Sequence, residues 1–174
     1  FYLFSQTNKK YEEFSKKIFG YYDKRKWFNY LSLASVIQKE AATTNEMPIV
    51  SSVIHNRLKK GMKLQMDGTL NYGIYSNEVV TAERIRDDNT TYNTYKVVGL
   101  PTDPVCAVSL EAIKAAIFPV KSDYLYFVRE NKTGLHKFAV TFETHQANIR
   151  ANVGVEKTYT KEKIDETQID AEAE

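Results

Sequence analysis

At 174 residues the chain is long enough for one domain with a real core and too short for two of ordinary size. Hydrophobic residues at 43% and charged residues at 26% sit near the globular average, which excludes wholesale disorder and a membrane protein as the bulk architecture. A net charge of +2 is too small for a nucleic-acid-binding face, and no stretch approaches the ~18 apolar residues of a membrane span.

In chain order, the mixed charged and aromatic stretch from Lys9 to Phe19 predicts a helix ended by Gly20, a residue suited to the left-handed C-terminal position. Trp27 to Ala42 predicts a stronger helix, with Trp27, Leu31, Ala34 and Ala41 on its core stripe. Asn45 offers an N-cap and Pro48 a first-turn residue for a third helix, whose stripe Val50, Val53, Ile54 and Leu58 ends at Lys59, Lys60 and Gly61. The basic run His55, Arg57, Lys59, Lys60, Lys63 reads as the cation-rich end of that helix.

Met62 to Pro104 reads as irregular, with a turn at Asp67-Gly68, a short helix over Thr81 to Arg86 and a proline-bounded loop over Gly99 to Pro104. Ser109 to Phe118 predicts a helix capped by Ser109. Tyr124 to Val128 and His136 to Val140 predict two strands of a hairpin joined through Asn131 to Gly134, and Thr144 to Val153 a last helix. Glu156 to Glu174 is charged and nearly free of large apolar residues, so residues 1–155 are expected to form the domain and 156–174 a disordered tail. The predicted class is α+β, mostly helical, with a small antiparallel sheet.

Chemistry concentrates in few places. Glu40 follows Ile37, Val36 and Leu33 by three, four and seven residues, so the helical repeat sets its carboxyl on an apolar side, where ionisation is costly and the pKa rises toward that of a general acid. Periodicity alone leaves open that Glu40 fringes the helix and pairs with Lys39 or Lys59 in solvent. Gln65, Asp67, Thr69, Asn71 and Tyr72 gather hydrogen-bonding groups in one short region, and Tyr92, Asn93, Thr94 and Tyr95 form a similar group. With 12 tyrosines in the chain, these groups suit a polysaccharide, while Asp67 as a helix cap and the tyrosines as core residues remain the plainer alternative. Cys106, the single cysteine, can form no internal disulfide and reads as a small buried hydrophobe, not a nucleophile. Three scattered histidines and seven dispersed glycines give no zinc spacing and no phosphate loop, so neither a metal nor a cofactor is expected.

Five blocks then carry a resemblance: LASVIQKEA (Leu33 to Ala41), VSSVIHNRLKKGMKLQMDGTLNYGI (Val50 to Ile74), YNTY (Tyr92 to Tyr95), GLP (Gly99 to Pro101) and YLYFV (Tyr124 to Val128). In that order, between about Trp27 and Val153, they resemble the endolytic murein transglycosylase family, the YceG-like proteins. The resemblance implies an enzyme that cuts peptidoglycan glycan strands. The family's catalytic glutamate is the second of an E-K-E motif, here Gln38-Lys39-Glu40, which assigns that role to Glu40. The family pattern N-R-L, then G-M-x-L-Q-x-D-P-T, matches Asn56, Arg57, Leu58, Gly61, Met62, Leu64, Gln65, Asp67 and Thr69, with Gly68 in place of the usual proline, a change expected to loosen the turn. The L-P-P loop becomes Leu100-Pro101-Thr102, and the later N-P pair becomes Ala107-Val108.

Substrate contacts are expected from Gln65, Asp67, Thr69, Tyr72, Asn93, Tyr95 and Asn56. The expected reaction is non-hydrolytic, leaving 1,6-anhydro-N-acetylmuramic acid ends and limiting strand length. The alternatives are a hydrolytic muramidase with Asp67 as second carboxylate, or a non-catalytic glycan-binding module. The family also implies a parent anchored in the bacterial inner membrane by one N-terminal helix, a periplasmic catalytic part, a LysM-like region upstream and peptidoglycan synthases as partners. A start at Phe1 without methionine fits such a fragment.

Overall fold

Helix α1 (Tyr2–Phe19) closes where the Gly20 N–H reaches the Lys16 carbonyl at 2.8 Å, with Gly20 at φ 75. These features come from a computed structural model that describes residues 2–76 and 78–152. The helix begins well before Lys9, and Tyr11 and Phe14 rest on the indole of Trp27 at ring distances of 5.9 and 6.0 Å. Helix α2 (Lys24–Glu40) starts ahead of its apolar stripe because the Asp23 carboxylate caps it, accepting the Lys26 N–H. Its second half is buried on all sides from Ser32 to Ile37, so α2 is the central helix.

Asn45 does not cap the third helix. A 3-10 turn over Thr44–Glu46 already has helical geometry and runs directly into α3 (Met47–Lys59), leaving no break for a capping side chain. Lys59 and Lys60 end α3 in solvent as expected, but Arg57 turns inward and is buried. Two further 3-10 turns, Asp67–Thr69 and Gly73–Tyr75, precede α4 (Ala82–Asp87), which Thr81 caps, and α5 (Leu110–Ile117), which Ser109 caps. Strands β1 (Tyr126–Arg129) and β2 (His136–Ala139) pair antiparallel, with Phe127 opposite Phe138 and Arg129 opposite His136. A last helix, α6, covers 142–152, and the expected Val153 end and the 156–174 tail lie outside the described residues.

The core forms where α2, α3 and α5 meet, around Leu33, Val36, Ile37, Val50, Ile54 and the small residues Ala112, Ala115 and Ala116. Small side chains on α5 bring it close to α2. The serines of α2 serve the interior: Ser32 donates to the Pro101 carbonyl, and Ser35 accepts the Val105 N–H, which holds the proline-bounded loop on the side of α2. The class is α+β, helical with one two-stranded sheet. Among the described residues no helix is long and apolar enough to cross a membrane.

Candidate functional site

Glu40 is the last residue of α2, at the pole where the helix dipole opposes negative charge. Beyond it the chain turns extended at Ala41, and the carboxyl opens onto a cleft of about 450 Å³ lined also by Gln65, Asp67 and Tyr95. Glu40 has no ion pair with Lys39 or Lys59. Its Oε1 accepts the Gly68 N–H at 2.7 Å. Desolvation by burial raises its pKa to about 7, the Gly68 N–H pulling it down and the charge of Asp67 pushing it up. A group with that pKa holds a proton part of the time near neutral pH and gives it up readily.

Gly68 fits this contact because it lacks a side chain. A Cβ there would stand 2.6 Å from Glu40 Oε1 and 2.6 Å from Lys39 Cβ. Glycine in the family's proline position therefore does more than loosen a turn, since it supplies an N–H that proline lacks. Asp67, beside it, does not cap a helix. It accepts the Tyr95 hydroxyl at 2.5 Å. Burial, that hydrogen bond and the charges of Asp67 and Glu40 hold the Tyr95 phenol well above its ordinary pKa, so it stays a neutral donor.

Gln65 sits at φ 53, left-handed backbone that a non-glycine residue seldom adopts. The strained residue is held by the Thr94 carbonyl, which takes its N–H, and its side-chain oxygen accepts from Arg57.

The remaining expected contacts lie elsewhere. Thr69 is fully buried, bonded to the Met66 carbonyl and to Thr94, and Asn93 is fully buried, donating to the Ile85 and Asp88 carbonyls. Asn56 donates to the Ser122 and Tyr124 carbonyls, fastening the approach to β1 onto α3. These three side chains build the cleft from behind. Tyr72 stacks on Tyr92 at 4.3 Å and does not line the cleft, and Tyr92 donates to Asp103.

The opposite wall was not legible as a site. It is the hairpin with the start of α6: Tyr126, Phe127, Arg129, His136, Phe142 and His145. His136 takes its place because Glu46 accepts both its backbone N–H and its Nδ1, at 2.7 and 2.9 Å, and His145 stacks on Tyr126 at 5.3 Å. Burial, then the charge of Arg57, lowers the His145 pKa. Arg57 itself bridges the walls, with its guanidinium over the Tyr126 ring at 5.2 Å and Nε on the Leu125 carbonyl. The one available signal was the alternation of aromatic and polar residues along the hairpin. Cys106 lies away from the cleft, donating weakly to the Ser35 carbonyl, with burial raising its pKa. Among the described residues no group of three or more His, Cys, Asp or Glu is arranged to hold a metal ion.

Residues 3–151 match the model of the YceG-like family. A Streptococcus pneumoniae protein named endolytic murein transglycosylase is 36% identical over 128 residues, covering 71% of this chain and 23% of its own length. A Bacillus subtilis protein of the same name is 35% identical over 115 residues, covering 66% and 32%. The crystal structure of a YceG-like protein from Listeria monocytogenes superposes with a TM-score of 0.65 at 38% identity, over 70% of this chain and 39% of that one. The chain thus spans a minor part of the proteins it matches.

Proposed function

Because the chain belongs to the YceG-like family, we propose that it is the catalytic part of an endolytic lytic transglycosylase of peptidoglycan, with Glu40 as its acid/base residue. The observation that carries this reading is a carboxyl of pKa about 7, on a single backbone N–H, facing a cleft of sugar-binding size. The protonated Glu40 donates to the oxygen leaving the bond between N-acetylmuramic acid and N-acetylglucosamine. The carboxylate then accepts a proton from the muramic acid C6 hydroxyl as that oxygen closes on C1. The product is a 1,6-anhydro end and no water is consumed, so one carboxylate suffices where hydrolysis needs two.

Asp67, Tyr95 and Gln65 are the residues that position the sugar, Tyr95 as a neutral donor. Thr69, Asn93 and Asn56 act through the backbone they hold, and Tyr72 with Tyr92 offers a stacking surface outside the cleft. In the cell this catalytic unit, residues 1–155 without need of 156–174, would work on the periplasmic side of the inner membrane. The parent would be anchored by an N-terminal helix, associate with peptidoglycan synthases and set glycan strand length.

A second reading, a hydrolytic muramidase, has one observation in its favour: Asp67 lines the same cleft, close enough for its charge to raise the Glu40 pKa. Against it, the Asp67 carboxylate is engaged by Tyr95. Zymography on purified sacculi tests the enzyme reading itself. Wild type is expected to clear the substrate and a folded Glu40→Gln protein is not, whereas a mere glycan-binding module would clear with neither. Equal clearing by both proteins would remove Glu40 from the mechanism.

A further inference from the structure

Two guanidinium groups line the cleft without a carboxylate partner among the described residues. Arg57 is 8% exposed. Its Nε and Nη1 are spent on the carbonyls of Leu125, Lys63 and Leu64 and on Gln65, which fixes the plane of the group, while Nη2 donates to nothing among the described residues. Arg129, on the hairpin strand whose Tyr126 lies under Arg57, uses its Nε on the Gly134 carbonyl and is otherwise uncommitted. Neither acid of the cleft pairs with them: Glu40 accepts from Gly68 and Asp67 from Tyr95.

A buried cation normally has a counter-ion, because the loss of hydration is otherwise uncompensated. Here backbone carbonyls and the Gln65 side chain compensate in part and leave Nη2 unused. Its N–H groups, held on a fixed plane, suit an oxyanion. In a stem-bearing strand the sugars offer hydroxyls and amides but no charge, because the lactyl carboxyl of each muramic acid is tied up in the amide bond to its stem. The carboxylates of murein are on the peptide stems.

We propose that Arg57, with Arg129 lining the same cleft, forms an anion subsite that receives a carboxylate of the peptide stem. The proposal rests on the glycan-cleaving reading above and extends it to a substrate requirement: the cleft takes strands whose stems carry free carboxylates in preference to strands whose stem carboxyls are amidated. Arg57 fixes the stem, and thereby which muramic acid faces Glu40.

The test uses Glu40→Gln protein, so that ligands are bound and not consumed, and three soluble glycan tetrasaccharides measured by calorimetry: free-acid stems, stems with every carboxyl amidated, and no stems, with the lactyl carboxyls of muramic acid capped as simple amides. The free-acid ligand is expected to bind about tenfold more tightly than either of the others. Arg57→Gln in the same background, once its circular dichroism matches the parent, is expected to abolish the difference between acid and amide, which a purely structural role for Arg57 would not do. The comparison with Arg57 intact decides the matter even if that variant fails to fold. Equal binding of acid and amidated stems would overturn the anion subsite and leave glycan recognition standing. Binding of none of the three would overturn both.

Discussion

At Glu40 burial, with the nearby charge of Asp67, favours the neutral acid, and the Gly68 N–H favours the carboxylate. The balance near pH 7 makes the pH response a residue-level prediction. A reaction that needs the protonated acid should slow as pH rises through about 7, seen as a falling alkaline limb in kcat/KM. Stability follows the same linkage. With its folded pKa above the unfolded value, Glu40 is neutral in both states below about 4, ionises first in the unfolded chain, and so lowers stability progressively as pH rises to about 7. Glu40→Gln should therefore be more stable than wild type at pH 8, by on the order of 3 kcal/mol at most, and nearly equal at pH 4, in urea titrations at the two values. A wild type as stable as the variant at pH 8 would show that the carboxyl is hydrated.

Gly68 is the second residue-level case. Gly68→Ala drives a methyl onto Glu40 Oε1 and Lys39 Cβ, and a displaced acid should cost roughly a hundredfold in kcat with a modest change in KM. The apolar side of Glu40 was legible because Leu33, Val36 and Ile37 are close in sequence. Its partner Gly68 and the inward turn of Arg57 were not, since both depend on contacts made across 28 and 68 positions.

Among the elements, the local signals translated directly. Ser109 caps its helix and Gly20 ends α1 as expected, and Thr81, expected inside its helix, is the cap instead, each decided within a few residues of chain. Asn45 failed as a cap because the turn it occupies is already helical and continuous with α3. The pairing of the hairpin was legible, but not its role as a wall of the cleft, which rests on Glu46. That carboxylate joins the turn after α2 to the first residue of β2. Burial alone would raise the Glu46 pKa, yet the hydrogen bonds and attraction from His136, with the Ala42 N–H, outweigh it and leave the pKa lowered. Its stabilising contribution is thus present above the ordinary carboxylate pKa and lost as pH falls through the lowered one. Glu46→Ala should cost about 2–3 kcal/mol at pH 7 and less near pH 3, and should reduce activity by loosening β2. Equal stability at pH 7 would show that the hairpin is held by other contacts.

For the molecule as a whole, the core and the site share a helix. Ile37, fully buried, lies one turn before Glu40, and the same α2 carries the serines that hold the Pro101 to Val105 loop. Ile37→Ala should lower stability by about 3 kcal/mol in a single cooperative transition, with activity and near-ultraviolet circular dichroism lost together. The α+β class was legible from periodicity, but Thr69 and Asn93 were not legible as interior residues. A polar side chain that satisfies buried carbonyls has the same sequence signature as one that meets a sugar.

Catalysis by one carboxylate without water leaves a mark on the product, which is read by digesting sacculi in water enriched in heavy oxygen and weighing the released muropeptides. A Glu40 acting alone gives anhydro ends, lighter than hydrolysed ends by one water and free of solvent oxygen, whereas labelled reducing ends as the main product would show hydrolysis and assign the second carboxylate to Asp67.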